Sequence, residues 1–130
     1  MIYNTLLIAD DDPNILKLVK IVLERAGFNV ITASDGCEAL EKIPSCNPSM
    51  IILDIDMPKI NGLEVLEQLK NNQSTAKIPV IMLTARTMSN DFNAAMEKKA
   101  DWYISKPFRN EHLLDKIKFL FKQRYGLDYS

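Results

Sequence analysis

"IILDIDMPKINGLEVL", residues Ile51 to Leu66, runs an apolar segment straight into two carboxylates, Asp54 and Asp56. Acids at the edge of an interior lose hydration and repel each other, so a bound cation, a neighbouring lysine or a chemical task must offset the cost. The run "MIILD" (Met50 to Asp54) has the length and the Ile/Leu content of a strand buried on both faces, and a helix is predicted over Gly62 to Lys70. A buried strand that leads into a helix is the repeating unit of a parallel sheet.

The same alternation extends outward in both directions. Towards the N-terminus, "TLLIA" (Thr5 to Ala9) precedes Ile15, Leu18, Val19, Val22, Leu23 and Ala26, whose spacing puts them on one helix face. Asp12 before Pro13 predicts an N-cap with proline in the first turn, and Gly27 predicts a left-handed stop. "NVITA" (Asn29 to Ala33) and a helix near Asp35 to Ile43 complete the first half. Beyond the central stretch come "PVIMLTA" (Pro79 to Ala85), a helix near Asn90 to Lys98, "WYIS" (Trp102 to Ser105) and a last helix from about Asn110 to Lys122. Five strand-helix units imply an α/β fold with a parallel sheet wound by right-handed crossovers. The polar stretch Asn71 to Lys77 reads as a loop.

Composition bounds the function. At 130 residues the chain is about one domain long, with the 47% hydrophobic and 25% charged content of a globular protein. Sixteen basic against seventeen acidic residues leave a net charge of −1, which argues against a nucleic-acid or polyanion binder that works by bulk charge. One histidine, His112, and two cysteines without a CxxC spacing, Cys37 and Cys46, exclude a structural zinc site. The cysteines are expected to be reduced thiols, and His112 to be exposed and idle. No stretch has the length of a membrane span and no leader is visible, so a cytoplasmic protein is expected.

In an open parallel sheet, ligands bind at the carboxyl ends of the strands. Those ends carry Asp10 and Asp11 after the first strand, Asp54 at the third, Thr84 at the fourth and Lys106 after the fifth. The second strand ends in Ala33 and Ser34, which suits an outer position. Three carboxylates, a hydroxyl and an ammonium in one crevice make sense around a hard divalent cation and an anion. Oxygen ligands without His or Cys favour Mg²⁺, Mn²⁺ or Ca²⁺, and Mg²⁺ best suits a site that also takes phosphate oxygens. Lys106 and Thr84 would then hold a phosphoryl group, and Asp54, central in the crevice, is the best-placed carboxylate nucleophile.

Across residues 3 to 124 the chain resembles the receiver domain of two-component response regulators, in "LLIADDDPNIL", "IILDIDMPKINGLEVL", "IPVIMLTA" and "YISKPF". Their order and spacing together are highly specific. The resemblance implies a doubly wound, flavodoxin-like sheet of five strands in the order 2-1-3-4-5. It implies that Asp54 accepts a phosphoryl group from a phosphohistidine on a sensor histidine kinase or histidine phosphotransfer protein. Asp11, Asp54 and the backbone carbonyl of Asp56 would ligate Mg²⁺, with Asp10 acting through water and Mn²⁺ a possible substitute. Lys106 would pair with the phosphoryl oxygens, before a cis peptide to Pro107, and Thr84 and the amide of Ala85 would bond the phosphoryl group. Tyr103 would turn inward as Thr84 moves, which alters the surface made by the last two helices and the strand between them.

The domain is expected over residues 1–124, with a short tail over 125–130. The output is expected to be a downstream protein rather than nucleic acid or membrane, with the chain a monomer or a phosphorylation-dependent dimer, and the domain a self-modifying switch rather than an enzyme. Many receivers have glycine where Lys99 stands and a small or acidic residue where Trp102 stands, so that turn and that surface depart from the pattern. Two other classes compete. A phosphorylation-independent scaffold has no need of the acids, Thr84 and Lys106 together. A haloacid-dehalogenase-type phosphohydrolase would use "DIDM" as nucleophile and second acid, but usually in a longer chain that begins with the motif, and it leaves Asp10 and Asp11 unexplained.

Overall fold

Strands form where branched and aliphatic residues run without interruption, and the three central ones are covered on both faces. The computed structural model describes residues 4–84 and 100–127. It contains β1 (Thr5–Ala9), α1 (Pro13–Arg25), β2 (Asn29–Ala33), α2 (Gly36–Cys46), β3 (Met50–Asp54), α3 (Gly62–Lys70), β4 (Val80–Thr84), β5 (Trp102–Ser105) and α4 (Asn110–Tyr125). All strand pairings are parallel and the order is β2-β1-β3-β4-β5. The expected order and the outer place of β2 are therefore observed.

Alternate residues of each strand feed two separate core layers. Leu7, Ile51, Leu53, Val80 and Met82 pack against Ala39 and Ile43 of α2 and Val65, Leu66 and Leu69 of α3. Leu6, Ile8, Val30, Ile52, Ile81 and Leu83 pack against Val19 and Leu23 of α1 and Leu113, Ile117 and Phe121 of α4. Fixing both faces fixes the register, which in turn aligns the strand ends that carry polar residues.

The helix ends follow local chemistry. Asp12 caps α1 by accepting from the Asn14 N–H with Pro13 in the first turn, and Gly27 past its end has φ +101°. Asp35 caps α2, and Asn61 with Glu64 forms a reciprocal capping box on α3. Two helices run further than the sequence pattern indicates. The second does not stop before Pro44 but continues through it to Cys46, ending at left-handed Asn47. The last reaches Tyr125, whose ring packs on Phe121 and whose hydroxyl donates to the Ser49 carbonyl at 2.8 Å, before Gly126 ends it. Part of the expected tail is thus docked on the core. The helix expected near Asn90 to Lys98, with Phe92, Ala95 and Met96, lies outside the described residues, as do Ala85 and Lys99. Among the described residues no helix is long and apolar enough to cross a membrane.

Candidate functional site

The sheet order places β2 on one side of β1 and β3 on the other, and a crevice opens at such a switch point beyond the strand ends. Asp10 leaves β1 fully buried, held by its own N–H on the Ala33 carbonyl at 3.1 Å. Its Oδ1 accepts from the Asp12 N–H at 2.9 Å, and its Oδ2 accepts from Lys106 Nζ at 2.7 Å. Asp54 ends β3 with only 3% exposure, and Lys106 Nζ lies 3.5 Å from its Oδ1. Carboxylate oxygens of Asp10, Asp11 and Asp54 all lie within 4.8 Å of one another, with Asp11 exposed and the other two buried.

This cluster is electrostatically uncompensated on the acid side. Burial, then the charge of Asp10, push the Asp54 carboxyl up to about 6, against the opposing pull of Lys106 and a hydrogen bond from the Asp56 backbone. Burial pulls the Lys106 ammonium down, but its bond to Asp10 and the charges of Asp10 and Asp54 outweigh that, and its pKa ends above the usual lysine value. One monocation shared between two buried carboxylates leaves net negative charge in the crevice. An all-oxygen donor set with that charge fits a hard divalent cation such as Mg²⁺ or Mn²⁺.

The other expected residues take distinct places. Thr84 ends β4 fully buried, pairs in register with Ser105, and its carbonyl accepts the Lys106 N–H. The Lys106–Pro107 peptide is cis. Tyr103 is half-buried against the layer under α2 and α3, while Trp102 is 36% exposed with Lys116 Nζ 4.0 Å above its ring. Asp56 is exposed in the loop after β3, and His112 is exposed on α4. Cys37 and Cys46 are free thiols. Beside Lys106 an apolar hollow of about 430 Å³ opens between α1 and the start of α4, lined by Ile15, Leu18, Val19, Pro107 and Phe108.

Sequence reasoning missed how the loop from Ile55 to Asn61 is held. A Cβ on Gly62 would stand 2.2 Å from the Asp54 carbonyl oxygen, so only glycine lets α3 begin this close to the end of β3. Likewise a Cβ on Gly36 would stand 2.1 Å from the Ile60 carbonyl oxygen, so the loop rests directly on the start of α2. Lys59 has φ +70°, in the left-handed region, and its ammonium lies 3.3 Å from Asp35 Oδ2. The helix-type glycines were visible signals, whereas a lysine gives no warning of a left-handed backbone.

The response regulator receiver domain family matches residues 6–118. The alkaline phosphatase synthesis transcriptional regulatory protein PhoP of Bacillus subtilis (strain 168) is 39% identical over 91% of the chain and 48% of its own length. The transcriptional regulatory protein CpxR of Escherichia coli (strain K12) is 38% identical over 94% of the chain and 51% of its own length. The chain thus spans about half the length of the curated relatives it matches. A CheY-like response regulator receiver domain protein from Methanospirillum hungatei JF-1 superimposes with a TM-score of 0.90 at 30% identity, covering 96% of this chain and 98% of that one.

Proposed function

Because the chain belongs to the response regulator receiver domain family, we propose that it is a signalling switch in which Asp54 accepts a phosphoryl group from a phosphohistidine on a sensor histidine kinase or histidine phosphotransfer protein. The observation that carries this reading is Lys106 bridging Asp10 at 2.7 Å and Asp54 at 3.5 Å beside exposed Asp11. In the transfer, a carboxylate oxygen of Asp54 bonds to phosphorus while the P–N bond to the donor imidazole breaks, its electron pair staying on nitrogen. Asp10, Asp11, Asp54 and the Asp56 carbonyl would hold Mg²⁺, which when bound supplies positive charge to the phosphoryl oxygens.

Lys106 gives up its contact with Asp54 and pairs with a phosphoryl oxygen instead. The Thr84 hydroxyl and the Ala85 amide donate to the remaining oxygens. A phosphoryl group brings about −1.5 to −2 charges and three acceptors, enough to draw a loop inward when donors wait for it. Tyr103 follows the vacated space, and the two surface arrangements around β5 and α4 differ in population accordingly.

Intact mass after incubation with acetyl phosphate or phosphoramidate tests the reading, with and without Mg²⁺, on the parent and on Asp54→Asn. One Mg²⁺-dependent phosphoryl group that the variant lacks is expected. No adduct on a folded parent overturns it in favour of a phosphorylation-independent binding module.

A further inference from the structure

We propose that Asp35, acting through Lys59, is a positioning residue that sets the cation affinity of the crevice by bracing the loop that carries the Asp56 carbonyl. The inference rests on the reading of Asp54 and the Asp56 carbonyl as cation ligands. It concerns residues on the far side of the crevice from Lys106, none of which would touch the cation or the phosphoryl group.

The loop between β3 and α3 is pinned at both ends. The Ile55 N–H donates to the Leu83 carbonyl at 2.8 Å, and the Gly62 N–H donates to the Ile55 carbonyl at 2.9 Å. Its middle is held from a different element. Lys59, three residues after Asp56, adopts a backbone conformation that costs an L-residue about 1 kcal/mol, and such strain persists only where surroundings enforce it. The enforcing contacts come from the start of α2, where the Asp35 carboxylate meets the Lys59 ammonium and the Ile60 carbonyl rests on Gly36.

Asp35 is itself held rigidly. Its Oδ1 accepts from the Glu38 N–H at 2.7 Å, and Glu38 in turn bonds Ser34 and pairs with Lys42 at 2.9 Å. Lys42 also donates to the Thr32 carbonyl at 2.7 Å, which ties the chain of contacts to β2. A frame of this kind transmits position, so the loop, and with it the Asp56 carbonyl, is placed relative to Asp54 by α2. Supporting groups behind metal ligands commonly set affinity in this way.

The sign of the effect separates bracing from a through-space charge effect. By charge alone, removing Lys59 would relieve a repulsion and tighten cation binding, and removing the Asp35 charge would weaken it. Bracing predicts that both changes weaken it. Lys59→Gly also relieves the left-handed strain, so a purely structural role predicts unchanged or improved stability and no change in affinity. Asp35→Asn keeps the helix cap, because Asn caps as well as Asp.

The test is a Mg²⁺ titration followed by amide NMR shifts on the parent, Lys59→Gly, Asp35→Asn, the double variant and Lys59→Arg, with urea unfolding of each in EDTA. Expected are about two- to fivefold weaker binding in both single variants, the range open to an ion pair whose lysine is mostly exposed. The double variant should be no weaker than the worse single one, affinity should be retained in Lys59→Arg, and unfolding midpoints should not track the affinities. Opposite signs for the two single variants, or affinities equal to the parent, overturn the brace while leaving the cation site standing. A parent with no saturable Mg²⁺ response overturns the cation site and the brace with it.

Discussion

Lys106 Nζ lies 2.7 Å from Asp10 and 3.5 Å from Asp54, so one ammonium from the end of β5 is shared by carboxylates from β1 and β3. The three groups are drawn together from distant parts of the chain, and both acids depend on the ammonium to stay charged in a buried place. Lys106→Ala therefore strands two acids without their cation. In EDTA at neutral pH the variant should lose about 2–4 kcal/mol of stability. Mg²⁺ should recover part of that loss, because a divalent ion can take over the vacated charge role. Urea unfolding with and without Mg²⁺ checks this, and a variant as stable as the parent in EDTA would show that the bridge contributes nothing.

Asp54 titrates at about 6 in the folded chain against an ordinary value of 3.8. Between those values the folded state holds a proton that the unfolded chain has released. Stability therefore falls as pH rises from about 4 to 6, and above that window the full cost of burying the charge is present. Asp54→Asn removes the cost, so in EDTA the variant should match the parent near pH 4 and exceed it by about 1–3 kcal/mol near pH 7.5. Thermal melts across that range decide the matter. A stability difference independent of pH would mean that the carboxyl is not raised.

The strands were readable because unbroken aliphatic runs have few other uses, and the meeting of Asp10, Asp54 and Lys106 followed once they were placed in one parallel sheet. Helix ends were readable where a side chain signals them, as Asp12 and Gly27 do. The run of α2 through Pro44 was not, since proline removes one helical hydrogen bond and usually marks an end, yet beyond it Cys46 still packs against the core layer. Nor was the contact of Lys59 with Asp35, because a pairing across 24 residues leaves no periodic trace. Tertiary geometry decided it.

Trp102 offers a direct test of the proposed switch. Its ring lies beneath Lys116 Nζ at 4.0 Å and its chain neighbour is Tyr103, so a rearrangement of Tyr103 should disturb the indole. Trp102 is the sole tryptophan, which makes the emission unambiguous. Acetyl phosphate with Mg²⁺ should shift the emission of the parent. In Tyr103→Ala the phosphoryl group should still attach to Asp54 while the spectral change is lost. An unaltered response in that variant removes Tyr103 from the switch.

At the other end of β5 from Lys106, Asp101 joins three elements. Its Oδ2 accepts the Val80 N–H at 2.8 Å and lies 3.8 Å from Lys70 Nζ, while its Oδ1 accepts from Arg124 Nη2 at 2.9 Å. Lys70 also donates to the Ala76 and Ile78 carbonyls, and burial already holds its ammonium below the usual lysine range. Asp101→Ala leaves the Val80 N–H without its acceptor and removes the charge that counters the burial of Lys70. A loss of about 1–3 kcal/mol is expected, with Mg²⁺ affinity and acetyl-phosphate labelling unchanged in the folded variant. Asp101 precedes β5 and Lys106 follows it, so one four-residue strand carries the Asp101 junction at one end and the crevice lysine at the other. Impaired labelling in a fully folded Asp101→Ala protein would show that the two ends are coupled.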